Sequence, residues 1–415
     1  MRIAHALCCS LFFASGLAAQ TLENLTPLRF TTTPVSVRGA GLGATSLPFE
    51  HDVAAAPANP AAVAAIKRPA FSASVAGMSF ATVATVFEGN GAHSFRNREH
   101  SAGLSHVAAA VPLRSGAVSL WYRNEPHIQA GGPFTRALPG LPSRSGVDCS
   151  IDADCGYAFF PSATAISLKD TRYGAAAAWR FGSVSIGAGA ELIELNERWE
   201  TPRMVFGARR GDHLFEELGR TISDRDVVAI AGISWQATPR LTVAGSYAGG
   251  GSFARQTTIC ETAGLNGLEC SSAMDVVDLA NVRRADTLRA GALYRMSDRF
   301  RMTVEAVGRN YSVLSRESYS LTGVPAEFPY RDVIELHSGV EWILPGAVPI
   351  AFRAGWWRDP SRVNVDEISA LIAEDVDHLT AGVGVEFSGL RFDVAFDQAT
   401  RSDVRRVAVG LTRSF

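Results

Sequence analysis

The chain has 415 residues, of which 47% are hydrophobic and 19% are charged, and its formal net charge is -2. This nearly neutral balance excludes the basic footprint of a nucleic-acid-binding protein and a polybasic clamp for a membrane surface. The 38 glycines and the scarcity of segments with helical periodicity favour an all-β protein.

The first residues have the features of a secretory signal peptide. Arg2 supplies a positive charge, residues 4–13 are apolar, and residues 16–19 offer a cleavage site. Cys8 and Cys9 leave a lipoprotein signal as an alternative, but Leu7 stands where a small residue is expected before a lipidated cysteine. We therefore predict a cleaved signal peptide over residues 1–19.

Residues 20–69 show no strand-like alternation of polar and apolar positions. Gly39, Gly41 and Gly43 suit close packing or positive φ, and residues 54–65 predict a helix of small residues that Pro57 and Pro60 interrupt. No apolar run after the signal peptide approaches the ~20 residues of a membrane-spanning helix, so the mature chain is either soluble or a barrel. In a barrel, this segment would fold inside the lumen as a hatch (plug).

From residue 70 to residue 415 the chain falls into segments of alternating polarity. In one of them Phe392 and Phe396 share a face, while Arg391, Asp393 and Asp397 share the other. A transmembrane barrel would turn the apolar face to lipid, whereas a soluble sandwich would turn it inward, and the alternation alone fits both.

The connections between the segments favour the barrel. Short turns alternate with longer loops near residues 87–100, 125–163, 201–224, 258–285, 316–329 and 360–374, as in outer-membrane barrels with periplasmic turns and extracellular loops. We predict a transmembrane antiparallel β-barrel of about 14 strands in the cell outer membrane. The predicted strands are residues 70–83, 101–113, 117–124, 164–180, 184–200, 225–237, 241–257, 286–297, 300–313, 330–344, 348–358, 376–387, 390–399 and 405–415.

Four cysteines remain after the signal peptide, in two pairs that are close in sequence. Cys149 with Cys155 and Cys260 with Cys270 fall in polar stretches of the longer loops, which predicts two local disulfides in an exported protein. A zinc site is the competing reading, but neither spacing resembles a C-x-x-C knuckle and no histidine stands at ligand spacing. We predict no metal and no cofactor.

Three short motifs resemble the FadL-type family of outer-membrane transporters for long-chain fatty acids and other hydrophobic compounds. They are residues 38–43 (RGAGLG), the triplet Asn59-Pro60-Ala61, and residues 68–73 (RPAFSA), which lead into the first predicted strand. The resemblance implies a 14-stranded barrel closed by an N-terminal hatch, with Gly39, Gly41, Gly43 and the Asn59-Pro60-Ala61 triplet as hatch or gating residues.

The resemblance also implies a function, which is passive uptake of long-chain fatty acids or other hydrophobic small molecules through a hatch-gated barrel. We expect the Asn59 amide to hold the hatch while Pro60 fixes the turn, although a simple turn is the alternative. Charges on the inner face could guide a carboxylate, but a network that stabilises the wall is favoured, and no pocket residue is predicted.

Other functions receive less support from the sequence. The inward-facing His337 and His378 have no accompanying nucleophile motif such as G-x-S-x-G, so we expect no enzyme. The alternative function is a non-enzymatic adaptor barrel whose loops bind a protein partner, such as a secretion component. The terminal strand ends on Phe415, which resembles the C-terminal signal that the barrel-assembly machinery recognises.

Overall fold

The computed structural model describes residues 36–47, 49, 52–88, 91–124, 128–137, 159–205, 214–263, 275–315, 331–362, 375–400 and 404–415. The predicted signal peptide lies outside the described residues, as do Cys149, Cys155 and Cys270 and the side chain of Cys260. The two disulfides therefore stay predictions.

Within the described residues the chain forms seventeen strand segments. They are β1 (Ala70–Glu88), β2 (Gly91–Leu113), β3 (Gly116–Asn124), β4 (Ile128–Ala137), β5 (Phe159–Phe181), β6 (Val184–Val205), β7 (Leu214–Gln236), β8 (Leu241–Ala248), β9 (Ser252–Ala263), β10 (Asp275–Arg283), β11 (Thr287–Arg295), β12 (Phe300–Arg309), β13 (Val333–Leu344), β14 (Ile350–Asp359), β15 (Val376–Phe387), β16 (Leu390–Ala399) and β17 (Arg405–Ser414).

These segments make a closed antiparallel barrel. Ala70 at the start of β1 lies opposite Ala110 of β2 and opposite Ser414 of β17, so the first and last strands pair and no edge remains there. Three wall strands are interrupted: β3 and β4 both pair with β5, and β8 and β9 both pair with β7. On the other side, β10 pairs with β9 and β11 pairs with β8. Each of these three couples is one wall strand, and the described wall has the predicted fourteen.

The faces of the wall are inverted relative to a soluble protein. On β16 Phe392 and Phe396 are exposed to the outside, whereas Asp393 and Asp397 are buried inside. The same apolar exterior continues around the barrel, with exposed side chains such as Leu120, Val227, Leu288, Ile334, Leu379 and Val407. Such an exterior fits the lipid-facing band of an outer-membrane barrel, as the alternation predicts, and excludes the soluble sandwich.

Several strands are longer than predicted. The expected loop at residues 87–100 is largely β1 and β2, the expected loop at 201–224 is largely β6 and β7, and much of 258–285 is β9 and β10. β4 also falls inside a predicted loop. On β7 the outward side changes from the exposed Val227 to the exposed Arg225. Beyond the lipid, outward positions face water, so the alternation stops although the backbone pairing continues.

The N-terminal part lies inside this wall. It contains α1 (Val37–Ala40) and two 3-10 helices, η1 (Val53–Ala55) and η2 (Pro60–Ala65). Pro57 lies between the two 3-10 helices and Pro60 begins the second one. We call the described residues between 36 and 66 the plug segment; nearly all are buried, and they contact inward-facing wall residues. A second short helix, α2 (Ser312–Ser315), follows β12. Among the described residues, no helix is long and apolar enough to cross a membrane.

Candidate functional site

The turn after α1 packs backbone against backbone on the wall. Gly43 has φ +67°, and a Cβ there would lie 2.2 Å from the Ser338 carbonyl oxygen. A Cβ on the wall residue Gly355 would come 2.1 Å from the Gly43 nitrogen, and one on Gly339 would come 2.6 Å from the Leu42 carbonyl oxygen. Glycine is required on both sides of this contact, because any side chain would separate the two backbones.

The other two glycines predicted for the hatch are also at close contacts. A Cβ on Gly41 would lie 3.0 Å from the Cα of the wall residue Gly382, and a Cβ on Gly39 would lie 2.1 Å from the Thr45 carbonyl oxygen. Gly39 therefore permits the tight turn of the plug segment itself, whereas Gly41 and Gly43 permit its contact with the wall.

Hydrogen bonds fix the same turn to the wall. The Gly43 amide donates to Thr380 Oγ1 at 2.8 Å, and the Gly43 carbonyl accepts from His337 Nδ1 at 2.8 Å. His337 stacks on Trp357, which in turn stacks on His378 with ring centroids 3.8 Å apart. The imidazole that holds the plug segment is thus itself fixed by its neighbours.

A row of alternating charges runs from the plug segment into the wall and back. Arg38 of α1 binds Glu341 at 2.8 Å, and Asp52 before η1 binds Arg391 at 3.3 Å. Between them Arg353 joins Glu341 at 2.8 Å to Asp393 at 2.7 Å, and Asp393 accepts from Arg391 at 2.8 Å. Each buried charge in the row has an opposite partner.

Asp52 stays ionised in this buried position. Burial by itself would raise the pKa of Asp52, but Arg391 and Arg38 and the hydrogen bond from the Ala54 amide outweigh it and hold the pKa below its ordinary value. The plug segment therefore contributes a negative charge at Asp52 and a positive charge at Arg38 to the wall network.

Glu305 of β12 binds the middle of the plug segment. Its Oε2 accepts hydrogen bonds from the backbone amides of Ser46 at 2.8 Å and Leu47 at 3.0 Å, and its Oε1 accepts from Arg289 Nη1 at 2.9 Å. One carboxylate thus serves two plug amides and a wall guanidinium, and its side chain is buried.

Asn59 connects two parts of the plug segment and contacts the wall. Its side chain is fully buried; Nδ2 donates to the Leu47 carbonyl at 3.1 Å and to the Ile233 carbonyl of β7 at 3.5 Å. Its Oδ1 accepts from the Ala61 amide at 3.1 Å, and Pro60 occupies the first turn of η2. Asn59 is therefore the N-cap of η2 as well as a bridge, which a simple turn would not require.

η2 packs on an alanine-lined part of the wall. Gly187 of β6 and Gly232 of β7 allow a close approach, because a Cβ at the first would lie 2.6 Å from the Ala61 nitrogen and one at the second 2.1 Å from Asn59 Oδ1. We call the wall alanines that cluster with the two 3-10 helices the alanine wall; they are Ala70, Ala108, Ala110, Ala117, Ala176 and Ala178. η2 contacts β3, β5, β6 and β7, and η1 contacts β1 and β2.

Farther from the short turns, the lumen is lined by an apolar cluster. Phe253 and Ile193 are fully buried there, inside the barrel rather than against lipid. We call this set the apolar lumen cluster; it consists of Met78, Leu168, Ile193, Leu195, Ile222, Val228 and Phe253.

A charged group borders the apolar lumen cluster on β3, β5, β6 and the segment between β10 and β11. Asp170 binds Arg172 at 2.9 Å and Arg284 at 2.6 Å, and Glu191 lies 3.5 Å from both Arg172 and Arg123. Three guanidinium groups and two carboxylates therefore lie together at the border of the apolar lumen cluster.

The sequence pointed to part of this site. The six predicted hatch residues, Gly39, Gly41, Gly43, Asn59, Pro60 and Ala61, all lie in the plug segment. The sequence predicted charges on the inner face of the barrel but gave no sign that Glu305 and Glu341 bind the plug segment or that Arg38 and Asp52 form ion pairs with the wall. The wall glycines were also missed, although repeated glycines on inner-face positions could have indicated a close backbone contact.

Comparison with known proteins identifies the fold. No family model and no curated protein matches the chain. Among solved structures, a FadL homologue of Pseudomonas aeruginosa is similar with a TM-score of 0.66 at 14% identity, covering 92% of this chain and 98% of that chain. The Ralstonia pickettii toluene transporter TbuX matches with a TM-score of 0.58 at 15% identity, covering 92% and 98%.

A third solved structure supports the same assignment. The P. putida toluene transporter TodX matches with a TM-score of 0.58 at 12% identity, covering 91% of this chain and 97% of that chain. The chain thus has the fold of FadL-type outer-membrane transporters. This fold, together with the apolar exterior, places the protein in the outer membrane as a β-barrel.

Proposed function

We propose that this protein carries hydrophobic small molecules passively across the outer membrane, long-chain fatty acids among them, and that the plug segment is its gate. The observation that carries the proposal is the apolar lumen cluster in a barrel whose lumen also contains the plug segment. Phe253, Ile193 and their neighbours are packed together inside the barrel, and a molecule with little water solubility that inserts among them finds an apolar environment.

The energetics need no external energy source. Each CH₂ group that leaves water for an apolar site gains about 0.8 kcal/mol, so a long acyl chain is captured strongly from the aqueous side. Net movement then follows the concentration gradient, and the gate has only to let the bound molecule pass. The solved neighbours are described as toluene transporters and a FadL homologue, which supports a hydrophobic cargo.

The charged group beside the cluster suits an amphiphile. Arg123, Arg172 and Arg284 lie with Asp170 and Glu191 next to the apolar residues, so guanidinium groups stand at one border of the cluster. A carboxylate head at the guanidinium groups with its acyl chain on the cluster would satisfy both environments. This arrangement supports fatty acids within the wider class of hydrophobic cargo.

The same proposal divides the chain into a signal peptide at residues 1–19, a gate at 20–69 and a barrel at 70–415. β1 begins at Ala70, directly after the plug segment and the linking residues 67–69. Phe415 is exposed at the end of β17, and its amide donates to the Pro69 carbonyl at 2.9 Å. We propose Phe415 as the residue through which the barrel-assembly machinery recognises the chain.

The test is uptake of labelled oleate and labelled toluene by cells that lack their own transporter and express the wild type, Phe253→Asn or Phe253→Leu at matched outer-membrane levels. We expect oleate uptake by the wild type, a strong loss in Phe253→Asn because a buried amide has no partner there, and near-normal uptake in Phe253→Leu.

The other outcomes are equally informative. Toluene uptake without oleate uptake would keep the transport function and correct the cargo. Background uptake of both compounds by a correctly inserted barrel would contradict the proposal, and a stoichiometric copurifying protein in that case would favour the adaptor function.

A further inference from the structure

The two halves of the plug segment are held to the wall by different forces. The α1 half, which is the described part of the plug segment from Ser36 to Asp52, is bound by the Arg38–Glu341 and Asp52–Arg391 ion pairs, by Glu305 and by the backbone contacts of Gly41 and Gly43. The η2 half, residues 53–66, has no charged side chain and contacts the wall through small apolar side chains and through close backbone approaches at Gly187 and Gly232. The mechanical consequences of the two attachments differ.

Releasing the α1 half would break strong polar contacts. Arg38 and Glu341 form two hydrogen bonds, at 2.8 Å and 3.1 Å, and Glu305 accepts two more from plug amides. Hydrogen bonds to charged groups are among the stronger hydrogen bonds in proteins, and release of this half would lose all four. The hydrocarbon part of a cargo has no polar groups with which to replace these bonds, so it cannot displace this half.

Releasing η2 would expose apolar surface instead. Val63, Ala64 and Ile66 pack on the alanine wall, and a methyl group offers no hydrogen bond to lose. The hydrogen bond from Asn59 to the Ile233 carbonyl is long, at 3.5 Å. A hydrophobic molecule that slides between η2 and the wall buries both surfaces again, so the contact is exchanged rather than lost.

On β7 the apolar residues that contact η2 are continuous with the apolar lumen cluster. Val228 of the cluster and Ile230 of the η2 contact are successive inward residues on β7. The alanine wall reaches Ala70 at the start of β1 and Ala117, one residue into β3. An apolar strip therefore leads from the lumen cluster to the rim of short turns.

We infer that a hydrophobic molecule leaves the lumen between η2 and the alanine wall, while the α1 half stays fixed to β12–β16. Asn59 stands at the boundary, because its amide bonds the Leu47 carbonyl of the fixed half and caps the moving helix. The inference rests on the proposed transport function and specifies its route.

Two disulfides, introduced one at a time, test the route. In a background with Cys149, Cys155, Cys260 and Cys270 replaced by serine, Ala61→Cys with Gly187→Cys joins η2 to β6. As the matched control, Gly41→Cys with Gly382→Cys joins the α1 half to β15. A Cβ on the wall residue lies 2.6 Å from the Ala61 nitrogen in the first pair, and the Gly41 Cβ lies 3.0 Å from the Gly382 Cα in the second.

The readout is uptake of labelled oleate and of labelled toluene before and after dithiothreitol. We expect the η2 disulfide to lower uptake about tenfold or more, with recovery on reduction, and the α1 disulfide to leave uptake within about twofold. Each protein in its reduced state is its own control for folding and for crowding by the new side chains.

Other results would overturn the route. Loss of uptake with the α1 disulfide alone would show that the ion-paired half moves. Unchanged uptake with either disulfide would show that the cargo bypasses the plug segment. Absence of uptake both by the wild type and by the background without the four cysteines would instead contradict the transport function itself.

A second variant pair needs no cross-link. Gly187→Ala places a Cβ against the η2 backbone and should raise the uptake rate by pushing η2 off the wall. Gly382→Ala places a Cβ 3.1 Å from the Gly41 Cα and should not raise it. A faster rate in Gly382→Ala and not in Gly187→Ala would contradict the inference.

Discussion

Replacing Glu305 with glutamine should loosen the plug segment without changing the shape of the wall. The carboxylate accepts from the amides of Ser46 and Leu47 through one oxygen and from Arg289 through the other. A glutamine has a single acceptor oxygen, and its NH₂ group can only donate. Whichever way the amide turns, it presents donors either to the two plug amides or to the guanidinium.

The size of the effect follows from those three bonds. If the glutamine oxygen faces Arg289, both plug amides lose a charged acceptor, and if it faces the plug segment, a buried guanidinium loses its partner. Charged hydrogen bonds contribute about 1.5–3 kcal/mol each, so we expect opening of the plug segment to become easier by about 3–5 kcal/mol. Since 1.4 kcal/mol is about a factor of ten, the open population should rise at least about a hundredfold.

The population can be measured with a cysteine at position 46, because Ser46 is buried and Ser46→Cys changes little in size. Isolated outer membranes carrying this cysteine in the background without the four other mature cysteines are treated with a membrane-impermeant maleimide. When closing is faster than labelling, the labelling rate follows the open population. The control is Glu200→Gln, which removes a carboxylate from an exposed pair with Arg198. Equal labelling rates in the wild type and Glu305→Gln would refute the reasoning.

Two further substitutions probe the other contacts of the plug segment. Gly355→Ala would bring a Cβ 2.1 Å from the Gly43 nitrogen, so the plug turn must move by more than an ångström to reach ordinary contact, and proteolysis of the plug segment should become faster; Gly103→Ala, where nothing lies within 4 Å, should behave as the wild type. Asn59→Ala removes the cap of η2 and leaves the Leu47 carbonyl without that donor, at a cost of about 1–3 kcal/mol, so oleate uptake at matched expression should become faster; an unchanged rate would contradict this role.

The faces of the barrel could be predicted from sequence because lipid imposes a strict rule. Phe392 and Asp393 must point in opposite directions on any strand, and only a membrane barrel with a polar lumen is satisfied with the apolar side outward. The even number of strands in the closed barrel could also be predicted, because short turns alternate with longer loops along the chain. These features depend on local pattern, which one sequence contains.

The lengths of the strands were beyond the same reasoning. β6 and β7 remain paired as far as Val205 and Leu214, well past the apolar band. In water the outward positions can take any residue, so Arg225 and Ser223 give no sign that the backbone is still in a ladder. Beyond the apolar band, backbone pairing depends on the presence of the neighbouring strand and not on the polarity of the residues in the two strands.

The attachment of the plug segment could be predicted only on one side. Glycines and Asn59-Pro60-Ala61 marked the segment itself, but the partner of Arg38 is Glu341, more than three hundred residues later in the chain. Several acidic residues on the inner face could equally have been the partner of Arg38. Which of them meets Arg38 depends on the register of β13 and on the depth of α1 in the lumen, and neither is a local property of the sequence.

The unequal attachment of the two plug halves has a physical rationale. Buried ion pairs contribute little net stability against apolar residues of the same size, but breaking one is costly, so the row from Arg38 to Asp52 defines a single position rather than a tighter fit. The alanine wall has the opposite character, since methyl contacts tolerate sliding and can be replaced by a cargo of similar polarity. A plug held everywhere by ion pairs would close the barrel to hydrophobic molecules, and one held everywhere by methyl groups would have no defined place to which it could return.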